Sequence, residues 1–194
     1  MAPTLSLTAV EHLPWVTPGD DLVPLVIAAT ASQGLVPEPG DILVVAQKVV
    51  SKAEDRLVAL AAVSPSTVAV KLAEETGKDA RLVELILSES TAIVRSRPGL
   101  IIAEHRCGHV LANAGIDASN IAQDDGEQVL LWPEDPDVSA TDLHQRYTKA
   151  YGFRVPVIIN DSMGRAWRLG TTGHAIGVAI EPWAADSVRQ VFEA

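Results

Sequence analysis

The sequence predicts an α+β fold in which mixed or antiparallel sheets carry flanking helices, in a single domain over residues 1–194. Helix-type and strand-type segments both occur, but the strands do not alternate regularly with helices, which disfavours a doubly wound sheet. The length of 194 residues suits one domain with a substantial core. The content of 47 % hydrophobic and 21 % charged residues is typical of a globular protein.

Turn residues and apolar patterns place three elements in the first part of the chain. Residues 4–10 alternate between apolar and polar and predict an opening strand. A helix over 22–33 is predicted by the turn and the capping acids before it and by Gly34 after it. The short, apolar and partly β-branched run at 42–46 predicts a fully buried strand.

Two helices and two strands are predicted next. Proline and serine residues begin a helix over 64–75, which Gly77 closes, and Asp79 caps a second helix with apolar residues at helical spacing. Residues 91–95 and 99–104 are typical of two strands joined by a turn.

The remainder of the chain is predicted to mix both element types. The acids between residues 131 and 140 are expected to cap a helix that ends at Tyr151, and its first residue is expected to follow Ser139 or Thr141. Strands are expected at 128–132, 155–159 and 174–180, and a final helix at 182–193.

Charge and composition exclude several classes of function. The formal net charge of −10 disfavours nonspecific nucleic-acid binding, although a local group of cations or a metal ion can still hold phosphate. No apolar run approaches the roughly 20 residues of a membrane-spanning helix, so no membrane partner is expected. The absence of a basic signal-peptide region and the single cysteine, Cys107, predict a cytoplasmic location.

Two lysines and a glutamine follow the predicted strand at 42–46. Gln47, Lys48 and Lys52 could hold phosphate oxygens, with each lysine acting as a point charge. The segment lacks the glycines of a P-loop. A solvated strand end is the alternative interpretation of the same residues.

Two aspartates lie in polar, glycine-containing segments after apolar runs. Asp117 precedes Asn120, which could contact a phosphate or a base, and Asp161 follows the predicted strand at 155–159. Carboxylate oxygens are the ligands that hard divalent cations prefer, and Ser162 adds a hydroxyl. Both segments are therefore candidate sites for Mg²⁺ or Mn²⁺ that bridges phosphates.

Each of these segments also has a structural interpretation. Asp117 and Asn120 could satisfy main-chain groups in a turn. Arg165 and Arg168 are candidate catalytic residues that neutralise a transferring phosphoryl group, but they could instead pair with surface acids. Cys107 and the histidines show no nucleophile or metal-ligand motif, so surface or core roles are expected for them.

Seven segments, in a fixed order, carry a resemblance to one protein family. They are Leu13-Pro14, PGDDL at 18–22, PGDILVVAQKVVSKAE at 39–54, GKDARLVELILSES at 77–90, ANAGIDASN at 112–120, LWPEDPDVSA at 131–140 and NDSMGRAWRLGTTGHAIGVA at 160–179. In this order they resemble the coenzyme F-420-0:γ-glutamyl ligase family, and they cover most of the chain.

The resemblance implies a GTP-dependent ligase that adds L-glutamate through γ-linked amide bonds to the side chain of a deazaflavin coenzyme precursor. The family's usual mechanism activates the terminal carboxylate as an acyl phosphate, which the glutamate amine attacks. The resemblance also implies Mn²⁺ or Mg²⁺, a monovalent cation such as K⁺, and an intertwined α+β homodimer with the nucleotide near the subunit interface.

The resemblance further implies the site residues. Asp117 and Asp161 match the family's metal-binding aspartates, and Ser162 stands where members usually have threonine. The positions that match nucleotide contacts are Leu13, Pro14, Trp15, Val16, Gln47, Lys48, Lys52 and Asn120.

The chain departs from the family pattern in two respects. Residues 105–109 read His-Arg-Cys-Gly-His where members usually read Thr-Arg-His-Gly-Phe. Members also usually continue beyond the position of Ala194 with a further nucleotide-binding stretch and an acidic metal ligand, so we expect a chain shortened at its C-terminus. Two alternatives follow: a nucleotide- and metal-binding fragment without turnover, and a related amide ligase that acts on another carboxylate acceptor.

Overall fold

The computed structural model describes residues 4–117, 127–164 and 169–180, and these contain five α-helices and eight strands. The helices are α1 (Leu22–Ser32), α2 (Gln47–Ala53), α3 (Thr67–Thr76), α4 (Ala80–Ser88) and α5 (Pro136–Tyr151). The strands are β1 (Leu43–Ala46), β2 (Leu57–Ala59), β3 (Ser90–Arg97), β4 (Leu100–His105), β5 (Val110–Ala112), β6 (Gln128–Leu130), β7 (Val157–Gly164) and β8 (Thr171–Ala179).

The strands form three small sheets, with the orders β1-β7-β8, β2-β6 and β3-β4-β5. β1 runs parallel to β7, and the other pairs are antiparallel. This mixture confirms the predicted α+β class. None of the helices in the described ranges is long and apolar enough to cross a membrane.

Local capping chemistry explains why the first helices lie where the sequence predicts them. The side chains of Asp21, Ser66 and Asp79 accept hydrogen bonds from main-chain N–H groups in the first turns of α1, α3 and α4. Gly77 ends α3 in the left-handed conformation, with φ of 68°. The predicted helices at 22–33 and 64–75 and the helix capped by Asp79 are therefore confirmed, with ends that differ by at most three residues.

The predicted start of α5 is wrong. The helix begins at Pro136 rather than after Ser139 or Thr141, because the side chain of Asp135 already accepts from the N–H of Val138. Proline is favoured in the first helical turn, where its missing N–H has no intrahelical partner to lose. The expected capping role of the acids in this segment is confirmed.

Two strand predictions also need correction. Residues 4–10 form no strand, and Leu5 and Leu7 are largely exposed, because no strand in the described part of the chain pairs with them. β1 is not fully buried: Val45 is buried but Val44 is 56 % exposed. In the part of the chain that the structure describes, β1 pairs with β7 alone, and the face of β1 that carries Val44 is open to solvent.

Two groups of buried side chains form the core. One packs α3 and α4 against β4 and β6, and the other joins α1, α2 and α5 to β7. The second group contains Trp132, which is fully buried just after β6. The final helix predicted at 182–193 lies outside the described residues.

Candidate functional site

Lys48 and Asp117, which the sequence assigns to phosphate and to metal, meet in the structure. Lys48 lies in the first turn of α2, and its Nζ is 2.6 Å from Oδ2 of Asp117. Asp117 is held by an antiparallel bridge to Leu130, in which each residue donates its N–H to the other's carbonyl oxygen. Each of the two charged side chains is about 30 % exposed, so this ion pair is half-buried and accessible.

Asp161 completes a group of three charged residues, which we call the aspartate cluster: Lys48, Asp117 and Asp161. Asp161 lies near the end of β7, where the N–H of Ser162 donates to Oδ1 at 2.7 Å. Burial raises the pKa of Asp161 above its ordinary value, and the charge of Asp117 raises it further. Hydrogen bonds and the charge of Lys48 oppose this increase without cancelling it. Among the described residues, the favourable interactions therefore do not offset the burial of this carboxylate.

The second oxygen of Asp161 has its own donor. Nε1 of Trp132 donates to Oδ2 of Asp161 at 2.9 Å. Both oxygens of the carboxylate are thus held by N–H groups from protein, which fixes the direction in which it presents its remaining lone pairs.

The role of Ser162 as a metal ligand stays a prediction, and the strand register turns its side chain to the face opposite that of Asp161. Adjacent strand residues project to opposite faces of a sheet, and Asp161 pairs in register with His174, whereas Ser162 pairs with Gly173. The side chain of Asn160 lies over Gly173 and marks that second face. Among the predicted metal ligands, the structure therefore brings together the side chains of Asp117 and Asp161 only.

The aspartate cluster offers the hard oxygen donors that Mg²⁺ and Mn²⁺ prefer. The raised pKa of Asp161 fits the same interpretation, because a bound cation would stabilise the ionised form of a buried carboxylate. Within the described ranges, no three His, Cys, Asp or Glu side chains form a group that could hold a metal ion. The described residues could thus supply Asp117 and Asp161 as ligands, but not a complete protein coordination shell.

A groove beside the aspartate cluster gathers six of the predicted nucleotide contacts. We call it the N-terminal groove; it has a volume of about 320 Å³ and is lined by Leu13, Pro14, Trp15, Val16, Lys48, Val49 and Lys52. The Trp15 ring is 83 % exposed, and Nζ of Lys52 lies 5.3 Å from its centre, within range of a cation–π interaction. Lys48 belongs to both the groove and the cluster and therefore joins them.

Gln47 lies away from this groove. The segment at 47–53 is helix α2, neither a loop nor a solvated strand end, and it turns Gln47 into the core with 2 % exposure. Nε2 of Gln47 donates to Oγ of Ser51 and to the carbonyl oxygen of Leu131. In this structure the Gln47 amide is used inside the protein, and its predicted nucleotide contact stays a prediction.

Three of the predicted site residues, Asn120, Arg165 and Arg168, lie outside the described residues. Their assignments as a nucleotide contact and as catalytic groups stay predictions. The structural counterpart of the sequence-based site is thus the aspartate cluster together with the N-terminal groove.

The sequence patterns missed a group of rings around Trp132. The ring centres of His105 and His109 lie 4.7 and 5.5 Å from the indole, and Nε2 of His174 lies 3.1 Å from Nδ1 of His109. Burial lowers the pKa of His109, as does the neighbouring His174. These contacts join residues far apart in sequence, so no local spacing could have indicated them.

Next to these rings lies an ionic network centred on the buried side chain of Glu89, with partly exposed arginines around it. Nη2 of Arg56 donates to both carboxylate oxygens at 3.1 Å, and Nε of Arg106 donates to Oε2 at 3.2 Å. His105 is fully buried, with Nε2 3.6 Å from the same oxygen. Nε of Arg56 also donates to the carbonyl oxygen of Trp132 at 2.8 Å. The network therefore supports the main chain on which the site indole is carried.

Comparison with known proteins is consistent with this arrangement. The family model described as F420-0:Gamma-glutamyl ligase matches residues 11–187. The coenzyme F420:L-glutamate ligase of Methanothermobacter thermautotrophicus is 46 % identical over 190 residues, which cover 97 % of this chain and 74 % of the relative. The enzymes of the same name from Methanopyrus kandleri and Archaeoglobus fulgidus are 47 % and 42 % identical, over 95 % and 88 % of this chain and 70 % and 65 % of the relatives. With the resemblance of the seven ordered segments confirmed, the chain belongs to the F420-0:gamma-glutamyl ligase family.

Proposed function

We propose that this protein is a coenzyme F420:L-glutamate ligase that uses GTP and a divalent cation to add glutamate through a γ-linked amide bond. Family membership supports the reaction class. The observation that carries the nucleotide and metal assignment is the ion pair between Lys48 of the groove and Asp117 of the aspartate cluster.

The N-terminal groove is the proposed nucleotide site. The exposed face of Trp15 offers a surface on which a base can stack, and Lys48 and Lys52 offer positive charge for phosphate oxygens. A triphosphate would otherwise meet the repulsive field of a protein with net charge −10. Local cations are therefore needed at this place more than elsewhere on the surface.

The aspartate cluster is the proposed site of Mn²⁺ or Mg²⁺, with Asp117 and Asp161 as its protein ligands. When bound, the ion would neutralise charge on the phosphates and polarise the transferring phosphoryl group. Lys48 neutralises Asp117 in the protein alone, at 2.6 Å. With a cation held by Asp117, the Lys48 ammonium would lie where it could bind a phosphate oxygen in the adjoining groove.

The proposed chemistry has two steps. The substrate carboxylate attacks the terminal phosphorus of GTP, which forms an acyl phosphate and releases GDP. The amine of L-glutamate then attacks the acyl carbon, an amide bond forms, inorganic phosphate leaves, and the amine loses a proton. Arg165 and Arg168 are proposed to neutralise charge during transfer. The proposal also includes a K⁺ ion that assists the reaction and a protein that acts as a homodimer.

The proposed reaction is tested by incubating the protein with GTP, Mn²⁺, L-glutamate and the deazaflavin precursor. We expect GDP, phosphate and a product heavier by one or more glutamyl residues, measured by mass spectrometry, and no product when glutamate or Mn²⁺ is omitted. GTP binding without any amide product would favour a nucleotide- and metal-binding protein without turnover. Faster amide formation on a different carboxylate acceptor would assign the enzyme to another substrate.

Replacing Lys48 by methionine is expected to weaken binding of the Mn²⁺–GTP complex by about 10- to 100-fold. Methionine keeps an unbranched apolar stem, but it removes a charge-assisted hydrogen bond of roughly 1.5–3 kcal/mol to phosphate. Isothermal titration calorimetry measures the change. Lys149→Met, which removes the same charge from the exposed last turn of α5, is the matched control. Equal affinities for the two variants would contradict the groove as the phosphate site.

A further inference from the structure

We propose that Trp132 is a positioning residue, whose indole sets the relative placement of Asp117 and Asp161 for the divalent cation. The proposal rests on the proposed function, in which these two aspartates are the ligands. It concerns a residue that touches neither nucleotide nor substrate and acts only through the aspartates.

The first link is the hydrogen bond to Asp161. Trp132 is fully buried, and its Nε1 donates to Oδ2 at 2.9 Å. An indole N–H is a donor only, so it cannot ligate a cation itself, and in the core it needs an acceptor. The carboxylate of Asp161 is that acceptor, and its orientation therefore follows the orientation of the indole.

The second link runs to Asp117 through the main chain. A Cβ added at Gly115 would lie 2.5 Å from both Nε1 and Cε2 of Trp132, so the indole edge packs directly against the Gly115 main chain. Gly115 is two residues before Asp117. The same ring edge that donates to one aspartate thus supports the segment that carries the other.

A third contact connects the main chain of Asp117 to the segment that precedes Trp132. Asp117 and Leu130 exchange two main-chain hydrogen bonds, of 3.0 and 2.8 Å, and Leu130 is two residues before Trp132. The backbone of Trp132 and the backbone of Asp117 are thereby connected independently of the side chains. The indole then spans the distance from this connection to Asp161 on β7.

The indole itself has little freedom to move. Nε of Arg56 holds the Trp132 carbonyl oxygen at 2.8 Å, and the rings of His105 and His109 pack against the indole. Replacing a residue that hydrogen-bonds to a metal ligand typically lowers the metal affinity by roughly 10- to 100-fold. A rigid support of this kind suits a site to which the described part of the chain contributes two carboxylates.

Trp132→Phe tests the proposal, because it keeps a buried ring and removes the N–H donor. The probe is Mn²⁺, titrated in the presence of GDP and followed by the electron paramagnetic resonance signal of free Mn²⁺. We expect about 10-fold weaker Mn²⁺ binding. Tyr147→Phe is the matched control: it removes one hydroxyl that donates to the Leu22 carbonyl oxygen in the same core, and it should leave Mn²⁺ affinity unchanged.

Asp161→Asn separates failure of this proposal from failure of the proposed function. Unchanged or tighter Mn²⁺ binding by Trp132→Phe, beside a loss in Asp161→Asn, would overturn the positioning role alone. Unchanged binding in both variants would overturn the metal site and, with it, the positioning role.

A second replacement keeps the test decisive if phenylalanine does not support folding. Substituting 3-benzothienylalanine for Trp132 preserves the two fused rings and replaces only the N–H by sulfur. Weaker Mn²⁺ binding at unchanged thermal stability supports positioning through the donor. Unchanged Mn²⁺ binding by this folded variant would overturn it.

Discussion

Asp161→Asn is expected to weaken Mn²⁺ binding by at least about 100-fold and to abolish ligase turnover, while leaving the fold as stable as before. Asparagine has the same shape and can still accept the Trp132 N–H through its amide oxygen, while the Ser162 N–H, which is at an exposed position, turns to solvent. It lacks the charge that a hard divalent cation needs from its ligand. The variant therefore separates the electrostatic role of Asp161 from its role in packing.

The expected stability follows from the direction of the pKa shift. Burial raises the pKa of Asp161, so the folded state disfavours the ionised form relative to the unfolded chain. At neutral pH this group therefore opposes folding, and removing its charge is expected to keep or slightly raise the melting temperature. Mn²⁺ titration and thermal unfolding measure the two effects separately.

Asp142→Asn is the matched control for Asp161→Asn. Asp142 lies on the exposed surface of α5, where it pairs with Arg146, and its replacement removes the same unit of charge. We expect it to leave Mn²⁺ affinity nearly unchanged. Retained tight Mn²⁺ binding in Asp161→Asn, or an equal loss in Asp142→Asn, would contradict a specific ligand role for Asp161.

Glu89→Gln is expected to produce a large loss of stability, roughly 1.5–3 kcal/mol, because it removes the charge of a buried carboxylate that accepts hydrogen bonds from two partly exposed arginines. Glu89 is 8 % exposed and receives hydrogen bonds from Arg56 and Arg106. A loss of this size is a large part of the 5–15 kcal/mol typical of a domain. Urea denaturation measures the loss of stability. Glu74→Gln, on the exposed surface of α3, is the control. We expect this control to change stability by at most about 0.5 kcal/mol.

The pH dependence of unfolding provides a second measurement for the same residue. Burial alone would raise the pKa of Glu89, but the His105 imidazole and the charges of Arg56 and Arg106 outweigh it and lower the pKa from 4.5 to about 2. The stabilisation is therefore complete above about pH 4.5 and is lost as the pH falls towards about 2. We expect Glu89→Gln to lose less stability than the unsubstituted protein between these values; equal losses would contradict the ionic network.

Local signals predicted those parts of the fold that depend on neighbouring residues. Asp21, Ser66 and Asp79 cap their helices through main-chain groups two or three residues away, so the sequence alone indicated the helix starts. Strands β2 and β5 were missed because three residues are too few for an alternating pattern. The strand predicted at 4–10 failed because alternation indicates a possible strand face but does not supply a pairing partner.

The candidate site also has one part that the local sequence indicated and another part that only the tertiary structure revealed. The sequence by itself indicated the family, which the comparisons confirm, and it predicted the lysines after β1 and the two aspartates as site residues, because each stands in a short motif whose residues are contiguous. Only the tertiary structure decided that Lys48 pairs with Asp117, that Gln47 is buried, and that Trp132 lies between the two aspartates. These outcomes depend on the packing of α2, β6 and β7 against one another. Contacts between such distant segments are set by the shape and polarity of the whole core, which no local pattern contains.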